Sequence, residues 1–261
     1  TGSTRGESGP TDNPFLAVLD PAATEDTGEV FAMNLVYSGN FLGVAEGHHF
    51  RGSRLVMGIN PVNFSWKLEQ GESFTAPEVV MVYSGQGIGK MSRTFHDLYR
   101  NHLIRDVYPG TPRPILINNW EATYFGFTYE KLIEIAKEAA KCGIELFVLD
   151  DGWFGNRNDE MRGLGDWFVN EEKLPGGIRR LSEEINDLGM KFGLWIEPEM
   201  VSPDSELFRA HPDWAIQIPG RHRSLFRHQY VLDWSRKEVR DYIYDMIHHV
   251  LSNANVAYIK W

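Results

Sequence analysis

The sequence predicts a multi-domain protein of class β plus α/β, in which part of an N-terminal antiparallel β-sandwich precedes the first half of a (β/α)8 TIM barrel. Before about residue 110, short apolar strands alternate with turn residues, as in an antiparallel sandwich. After it, apolar strands alternate with amphipathic helices, as in a parallel sheet with crossover helices. We therefore predict a sandwich portion over 1–87, a linker helix and connection over 88–112, and a half-barrel over 113–261.

The sandwich portion is predicted from runs of β-branched and aromatic residues that are bounded by Gly, Asn and Pro. The predicted strands cover residues 30–37, 54–59, 64–68 and 79–83. An amphipathic helix follows over 88–104, because Met91, Phe95 and Leu98 recur at helical spacing. The Tyr-Pro-Gly-Thr-Pro segment at 108–112 ends this helix and forms the connection.

The half-barrel is predicted from four strands with helices between them. The predicted strands cover 114–120, 146–151, 192–197 and 256–261, and the helices cover 128–140, 178–188 and 236–251. Thr128 is a suitable N-cap, and Gly143 and Gly189 are suitable helix stops. Continuous apolar runs indicate strands that are covered on both faces. No Gly-rich phosphate loop follows the first strand, which favours a barrel over a dinucleotide-binding fold, and no cofactor is expected.

Composition limits the classes of partner. The net charge of −10 makes nucleic acid and anionic membrane surfaces poor partners. A single cysteine excludes an intrachain disulfide and a Cys-based metal cluster, and it favours a reducing compartment. The aromatic content of 13%, with eight Trp, fits either a large core or a sugar-binding site. We therefore expect a cytoplasmic protein.

The last residues of the chain, 257–261, form an apolar strand without a polar tail, Gly or Pro. This pattern predicts that the sequence is a piece of a longer enzyme and that an important residue follows Trp261. Lys260 and residue 262 would share one face of the strand, because side chains alternate with a period of two. A Lys lowers the pKa of a neighbouring carboxylate, which suits a nucleophile that must stay ionised.

Polar and aromatic side chains stand at the predicted ends of all four barrel strands. Trp120 closes the first, Asp150 and Asp151 the second, Trp195 and Glu197 the third, and Lys260 the fourth. Barrel active sites are built from these carboxyl ends and the loops after them. Carboxylates, a cation and Trp at one mouth indicate a polar ligand with an apolar face, and a sugar ring fits that description.

Several of these residues have an alternative structural interpretation. Asp150 and Asp151 can both reach one ligand only if the strand ends or bulges there; otherwise one of them satisfies loop backbone. Glu197 could be an acid, although a Pro-flanked Glu at the start of a loop is often structural. Arg227 lies in an Arg-rich loop and could bind a hydroxyl or be solvated. The histidines show no metal spacing, so no metal site is expected.

Seven motifs follow one another along the chain: YSGNF (37–41), GINP (58–61), NNWEATY (118–124), LDDGWF (149–154), GDW (165–167), GLWIEPEM (193–200) and YIKW (258–261). In this order they resemble those of a bacterial α-galactosidase of glycoside hydrolase family 36. The resemblance covers nearly the whole chain. It implies a retaining, exo-acting hydrolysis of terminal α-linked galactose from melibiose and raffinose-type oligosaccharides, by double displacement.

The resemblance also implies roles for individual residues. Trp120 and Trp195 would pack around the galactose ring, Asp150 and Asp151 would bind its C4 and C6 hydroxyls, and Arg227 and Lys260 would be cationic contacts. The family's nucleophile is the Asp after a Lys-Trp pair, which is the position immediately after Trp261, and its acid/base Asp lies on a later strand. No catalytic carboxylate is therefore expected within residues 1–261, and the chain alone is predicted to be inactive.

Two other enzymatic activities remain possible on the same scaffold, and a third alternative is a protein without catalytic activity. The protein could be an α-N-acetylgalactosaminidase or an α-galactosyl transferase, or it could be a non-catalytic sugar-binding homologue. The family further implies a homotetramer in which an N-terminal loop reaches a neighbour's active site. Residues 4–8 are the candidate for that loop, and a polar loop without this role is the alternative.

Overall fold

The computed structural model describes residues 1–49, 52–105 and 110–261. The chain divides into two compact units, Thr1–Pro112 and Arg113–Trp261. Among the described residues, none of the helices has both the length and the apolar character needed to span a bilayer. Within the same residues, no cluster of three or more His, Cys, Asp or Glu side chains could bind a metal ion.

In the part of the first unit that the structure describes, five antiparallel strands form two sheets beside one long helix. The strands are β1 (Phe15–Leu19), β2 (Val30–Leu35), β3 (Phe41–Gly47), β4 (Ser53–Ile59) and β5 (Val79–Ser84). One sheet has the order β1-β2-β5, and β3 pairs with β4 in the other. Helix α1 (Gly87–Leu98) continues into a π-helical turn (Tyr99–Leu103).

The core of this unit lies between the β1-β2-β5 sheet and α1. Val30 and Ala32 are buried while Phe31 between them is half exposed, so β2 shows the period-two alternation of a strand with one covered face. Met91 and Phe95 of α1 pack against the covered face. The predicted strands at 30–37, 54–59 and 79–83 and the predicted helix are confirmed.

Three features of the first unit differ from the prediction. Residues 64–68 are not a strand; Phe64 and Trp66 instead place their rings against Phe74 within an irregular segment, which explains their apolar alternation. Strands β1 and β3 were missed, and β3 carries Gly43 and Gly47, which weaken a strand pattern. Of the predicted connection, Tyr108 and Pro109 lie outside the described residues.

The second unit is built on a four-stranded parallel sheet with the order β11-β8-β7-β6. These strands are β6 (Leu116–Asn118), β7 (Leu146–Leu149), β8 (Lys191–Trp195) and β11 (Tyr258–Lys260); β9 (Met200–Val201) and β10 (Tyr230–Val231) form a separate antiparallel pair. The helices are α2 (Trp120–Thr123), α3 (Tyr129–Lys141), α4 (Gly177–Asp187), α5 (Glu206–Ala210) and α6 (Lys237–Ser252), with a 3-10 turn at Pro212–Trp214. Each barrel strand lies beside the previous one, as the first half of a (β/α)8 barrel requires.

Local sequence signals account for the helix and strand boundaries of this unit. The Thr128 hydroxyl accepts a hydrogen bond from the Lys131 backbone N–H, so it caps α3 as predicted. Gly143 and Gly189 adopt φ of 78° and 84° after α3 and α4, conformations that a side chain would strain. All four residues of β7 are buried, which confirms that this apolar run is covered on both faces.

The strands end one or two residues earlier than predicted. Trp120 does not close the first strand, because the Asn118 side-chain oxygen accepts the Trp120 N–H at 2.8 Å and turns the chain into α2. The second strand ends at Leu149 and the third at Trp195, so Asp150, Asp151 and Glu197 lie in the loops just beyond. The strand-end residues Trp120, Asp150, Asp151, Trp195 and Lys260 thus stay at the same edge of the sheet, whereas Arg227 lies in the loop before β10.

Candidate functional site at the strand ends

The carboxyl ends of the four parallel strands bring residues that are distant in sequence to one edge. Lys260 pairs in register with Trp195, and Leu149 with Leu194. Asn118 lies beside Val148, two residues before Asp150. Parallel strands end at a common edge, so side chains from residues 118 to 260 can meet there.

Asp150 is the centre of a polar cluster formed by three strands. Its Oδ2 atom accepts hydrogen bonds from Lys260 Nζ and from Asn118 Nδ2, both at 2.6 Å. Its Oδ1 atom accepts the Asp151 backbone N–H at 2.9 Å. The Asp150 side chain is 5% exposed, whereas that of Lys260 is 46% exposed. A carboxylate has about four lone-pair sites, so these three donors leave acceptor capacity for a ligand.

Asn119 anchors the backbone beneath this cluster. It is fully buried, and its side-chain oxygen accepts the Asp150 backbone N–H at 2.8 Å. Its amide nitrogen donates to Thr123 Oγ1 at 2.9 Å, which links the same residue to the end of α2. The adjacent Asn118 and Asn119 therefore orient the side chain and the backbone of Asp150, respectively.

Asp151 has a different partner from Asp150, because it pairs with Arg157. Arg157 Nη2 donates to Oδ2 at 2.8 Å, and Nε donates to Oδ1 at 3.0 Å. The side chains of Arg157 and Asp151 are 1% and 9% exposed. The strand end at Leu149 thus allows two adjacent carboxylates to occupy one region while each has its own cation.

Trp120 lies in an aromatic cluster beside the carboxylates. Its ring packs edge-on against Tyr124 and Phe125, with centroid distances of 5.2 and 4.9 Å. Tyr124 has φ 46° and ψ −131°, a strained conformation for a residue with a side chain, and its hydroxyl donates to Glu121. Trp120 remains partly exposed, so part of its ring is available to a ligand.

Trp195 is positioned by the buried aromatic core. Its ring stacks on Phe154 at 6.2 Å and lies 6.1 Å from that of Trp167. Its backbone oxygen accepts the Trp153 indole N–H at 2.9 Å. Trp195 is only partly buried, while Trp153, Phe154 and Trp167 are fully buried, so the core supports the inner side of this ring.

Glu197 and Arg227 carry opposite charges at the periphery of the cluster. Burial raises the pKa of Glu197, while the positive charges of Arg227 and Arg157 lower it and the negative charges of Asp151 and Glu199 raise it further. Arg227 is exposed and adopts φ 49°. The structure therefore places Arg227 within electrostatic range of Glu197. Among the described residues, Arg227 forms no hydrogen bond or ion pair with Asp150 or Asp151.

The GDW motif has a structural role next to this region. The Asp166 carboxylate accepts the backbone N–H groups of Glu206 and Leu207 at 3.0 and 2.9 Å, so it caps the first turn of α5. Burial raises the pKa of Asp166, and these two hydrogen bonds act in the opposite direction. Trp167 packs in the core beneath Trp195.

Comparison with known proteins decides the family of the chain. Residues 73–261 match the melibiase family, and residues 1–69 match the glycosyl hydrolase family 36 N-terminal domain. The chain belongs to glycosyl hydrolase family 36.

Family 36 relatives resemble the chain over its whole length. Alpha-galactosidase AgaA of Geobacillus stearothermophilus is 56% identical over 259 residues, which are 99% of this chain and 36% of that protein. The bifunctional alpha-galactosidase/sucrose kinase AgaSK of Mediterraneibacter gnavus is 48% identical over 260 residues, 100% of this chain and 28% of that protein. The chain thus spans about a third of the length of these relatives.

Solved structures of family 36 enzymes have the same fold. The crystal structure of AgaB from Geobacillus stearothermophilus superimposes with a TM-score of 0.96 at 56% identity, covering 100% of this chain and 36% of that one. A variant of AgaA from the same organism, determined in complex with raffinose, superimposes equally well at 55% identity with the same coverage. The predicted sandwich portion and half-barrel are thereby confirmed as the fold of this family 36 chain.

Sequence reasoning missed three of the residues that organise the site in this family 36 chain. Asn118 and Asn119 stand at the end of the first strand, so the strand-end argument that selected Trp120 could have selected them as well. Arg157 lies in the long irregular segment after β7, where no periodicity relates it to Asp151. Its only sequence signal is its position six residues after the paired carboxylates.

Proposed function

We propose that the whole protein that contains residues 1–261 is a retaining, exo-acting α-galactosidase that removes terminal α-linked galactose from melibiose and raffinose-type oligosaccharides. The observation that carries the proposal is the cluster of Asp150, Lys260 and Asn118 at the strand ends of a family 36 chain. The AgaA relative bound to raffinose, and another AgaA variant bound to stachyose, support this class of substrate.

Six residues form the proposed galactose site. Asp150 and Asp151 accept hydrogen bonds from the C4 and C6 hydroxyls, Lys260 and Arg227 supply cationic contacts, and Trp120 and Trp195 pack against the ring. The proposal is supported by the free acceptor capacity of Asp150 and by the partial exposure of both Trp rings. Aromatic faces suit the apolar face of a sugar, whereas charged hydrogen bonds discriminate its hydroxyls.

The proposed chemistry requires two carboxyl groups about 5–5.5 Å apart, one as nucleophile and one as acid/base, since these distances are typical of retaining enzymes. We place the nucleophile immediately after Trp261 and the acid/base on a later barrel strand. Residue 262 would lie on the same face of the strand as Lys260, by the period-two rule. Lys260, which donates a hydrogen bond to Asp150, would then lie beside the nucleophile and lower its pKa.

We also propose that the protein is cytoplasmic, binds neither nucleic acid nor membranes, and forms a homotetramer. The single cysteine and the net charge of −10 support the first two statements. For the oligomer, the candidate loop at residues 4–8 is ordered against its own unit: Arg5 pairs with Asp12 at 2.6 Å, and the Gly6 N–H donates to Asn40. We propose that this loop, held by these contacts in its own unit, reaches a neighbouring subunit.

The test is hydrolysis of p-nitrophenyl α-galactoside and of raffinose by the intact protein, with the anomeric form of the released galactose followed by NMR. Retention of the α-anomer and release of galactose are expected. Transfer of galactose to an acceptor sugar would favour the transferase alternative, and faster turnover of the N-acetylgalactosaminide would favour the other hydrolase. Residues 1–261 alone should show no turnover; measurable turnover would contradict the placement of both catalytic carboxylates.

A further inference from the structure

Arg157 is the most deeply buried cation at the strand ends, with a side chain that is 1% exposed. A buried guanidinium is costly unless its donors are paired. Arg157 lies outside every β-strand and helix of the second unit. Its burial beside the proposed sugar site therefore requires an explanation in terms of what it contacts.

The guanidinium of Arg157 has two groups of partners. On one side, Nε and Nη2 donate to both oxygens of Asp151, at 2.8 to 3.2 Å. On the other side, Nη1 donates to the backbone oxygens of Glu160 and Arg162, at 3.0 and 2.9 Å. The two backbone acceptors orient the planar group, and the planar group then orients the carboxylate, since a bidentate pair restricts rotation of both partners.

The segment that carries Arg157 is itself anchored. Lys173 Nζ donates to the backbone oxygens of Arg157 and Gly152, at 3.2 and 3.0 Å, and also to that of Phe125. A Cβ at Gly163 would lie 2.9 Å from the Arg157 backbone nitrogen, so the opposing loop packs against this point. Arg157 is thus presented to Asp151 by a preorganised loop.

Arg157 also contacts the aromatic side of the site. Its guanidinium carbon lies 5.6 Å from the centroid of the Phe125 ring, within the range of a cation–π contact. The Phe125 ring packs edge-on against Trp120 at 4.9 Å. One buried residue therefore supports both a carboxylate and, through Phe125, a Trp that we place around the sugar.

We propose that Arg157 is a positioning residue for galactose recognition, which orients the Asp151 carboxylate so that its remaining acceptor capacity faces one sugar hydroxyl. The inference rests on the proposed function. Two N–H groups of Arg157 occupy about half of the acceptor sites of Asp151, which leaves the others for the ligand. Arg157 itself does not touch the sugar.

A double-mutant cycle in the intact protein tests this role. The variants are Arg157→Met, Asp151→Asn and the double variant, and the readout is inhibition of nitrophenyl galactoside hydrolysis by galactose, 4-deoxygalactose and 6-deoxygalactose. Each single variant is expected to weaken galactose binding about 10- to 100-fold, as for loss of a charge-assisted hydrogen bond. In the Asp151→Asn background, Arg157→Met should add less than about 3-fold, because the effect acts through Asp151.

The deoxy sugars add a readout that general destabilisation would not change. Arg157→Met should lose discrimination against the same deoxy sugar as Asp151→Asn and keep discrimination against the other. Arg157→Lys retains the positive charge without the two parallel N–H donors of the guanidinium. It should fold and give an intermediate loss of galactose affinity, and it is the variant to use if Arg157→Met does not fold. Arg209→Met is the control, since Arg209 also pairs with two carboxylates, Asp204 and Glu206, but away from the strand ends.

Two failures are distinguishable. If the wild-type protein neither binds galactose nor hydrolyses its α-glycosides, the proposed function is wrong and the inference falls with it. If wild type binds galactose but the losses of Arg157→Met and Asp151→Asn are additive, or if Arg157→Lys binds both deoxy sugars and galactose as wild type does, only the positioning role is wrong.

Discussion

Asp150 and Asp151 are adjacent in sequence, yet the cations that pair with them differ in burial and in distance along the chain. Asp150 pairs with Lys260, which is 110 residues away, comes from another strand and is 46% exposed. Asp151 pairs with Arg157, which is six residues away in the following loop and 1% exposed. The Asp151–Arg157 pair is thus local in sequence, buried and bidentate. The neighbouring Asp150–Lys260 pair joins distant residues through one hydrogen bond, and its Lys is half solvated.

The difference indicates two ways of preparing a carboxylate for a polar ligand. Arg157 is immobilised by two backbone oxygens, so Asp151 has a defined orientation before any ligand arrives. Lys260 has a flexible stem and solvent on one side, so it can share its donors between Asp150 and a ligand. Substitutions at the Arg157 pair should therefore lower both stability and affinity, whereas those at the Lys260 pair should lower mainly affinity.

The largest effect on stability is expected from Arg157→Met in the intact protein. The substitution leaves the Asp151 charge unpaired in a buried position and removes a donor from the Glu160 and Arg162 oxygens. Breaking one side of a buried pair costs about 3–5 kcal/mol in free energy of unfolding. Urea unfolding measures it, with Arg209→Met as the matched exposed control; a loss no larger than that of the control would contradict the comparison.

An intermediate loss in free energy of unfolding is expected from Asn118→Ala. Asn118 donates to Asp150 Oδ2 and accepts the Trp120 N–H, so the substitution removes partners of a buried carboxylate and of the backbone that begins α2. Hydrogen bonds to charged groups contribute about 1.5–3 kcal/mol. Asn158→Ala, at an exposed Asn in the next loop, should stay within about 0.5 kcal/mol in the same unfolding assay. Equal losses for both variants would show that Asn118 does not support Asp150.

A smaller change in stability but a clear change in affinity is expected from Lys260→Met. The Lys260 side of the pair is half solvated, and the buried Asp150 keeps two other donors, so the free energy of unfolding should fall by less than it does in Arg157→Met. Galactose affinity should fall about tenfold or more, because a cationic contact is lost. Lys141→Met, at an exposed Lys–Glu pair on α3, is the control and should leave affinity unchanged. A Lys260→Met protein that binds galactose normally would remove Lys260 from the site.

Much of the fold could be predicted because local and global signals agree. Thr128 and Gly143 mark the two ends of α3, and apolar runs between turn residues mark the parallel strands. The ends of the strands, and the residues that lie there, could therefore be predicted. The segment around Phe64 was mistaken for a strand because rings that pack against one another in a loop produce the same alternation as a pleated sheet. Periodicity reports which side chains are apolar and does not report which neighbour covers them.

The partners within the site could be predicted less well. Lys260 and Asp150 were both selected, since each stands at a strand end, and the parallel register brings them together. Arg157 could not be selected, because its contact with Asp151 depends on the course of an irregular loop that is fixed by Lys173 and by close packing at Gly163. Three-dimensional packing of polar groups in loops has no counterpart in sequence spacing.

The smallest effect on the free energy of unfolding is expected from Glu197→Gln, and this effect should depend on pH. Glu197 lies within electrostatic range of Arg157, Asp151, Arg227 and Glu199, and burial raises its pKa above the ordinary value of 4.5. The native state thus binds the proton more tightly than the unfolded chain, so stability is lost as the pH rises through the raised pKa. Near neutral pH the neutral Gln should raise the free energy of unfolding, by under about 0.5 kcal/mol because the site is partly solvated.

Well below pH 4.5, where Glu197 is protonated in both the native and the unfolded state, the two proteins should melt at the same temperature. Thermal unfolding on both sides of that pH measures the difference. In an Arg227→Met background the advantage of Gln should be larger and should reach its plateau at a higher pH, because the Arg227 charge is the largest influence that lowers the pKa of Glu197. An equal gain at both pH values would mean that Glu197→Gln acts through packing, and that the charges around the Arg157 pair do not extend to Glu197.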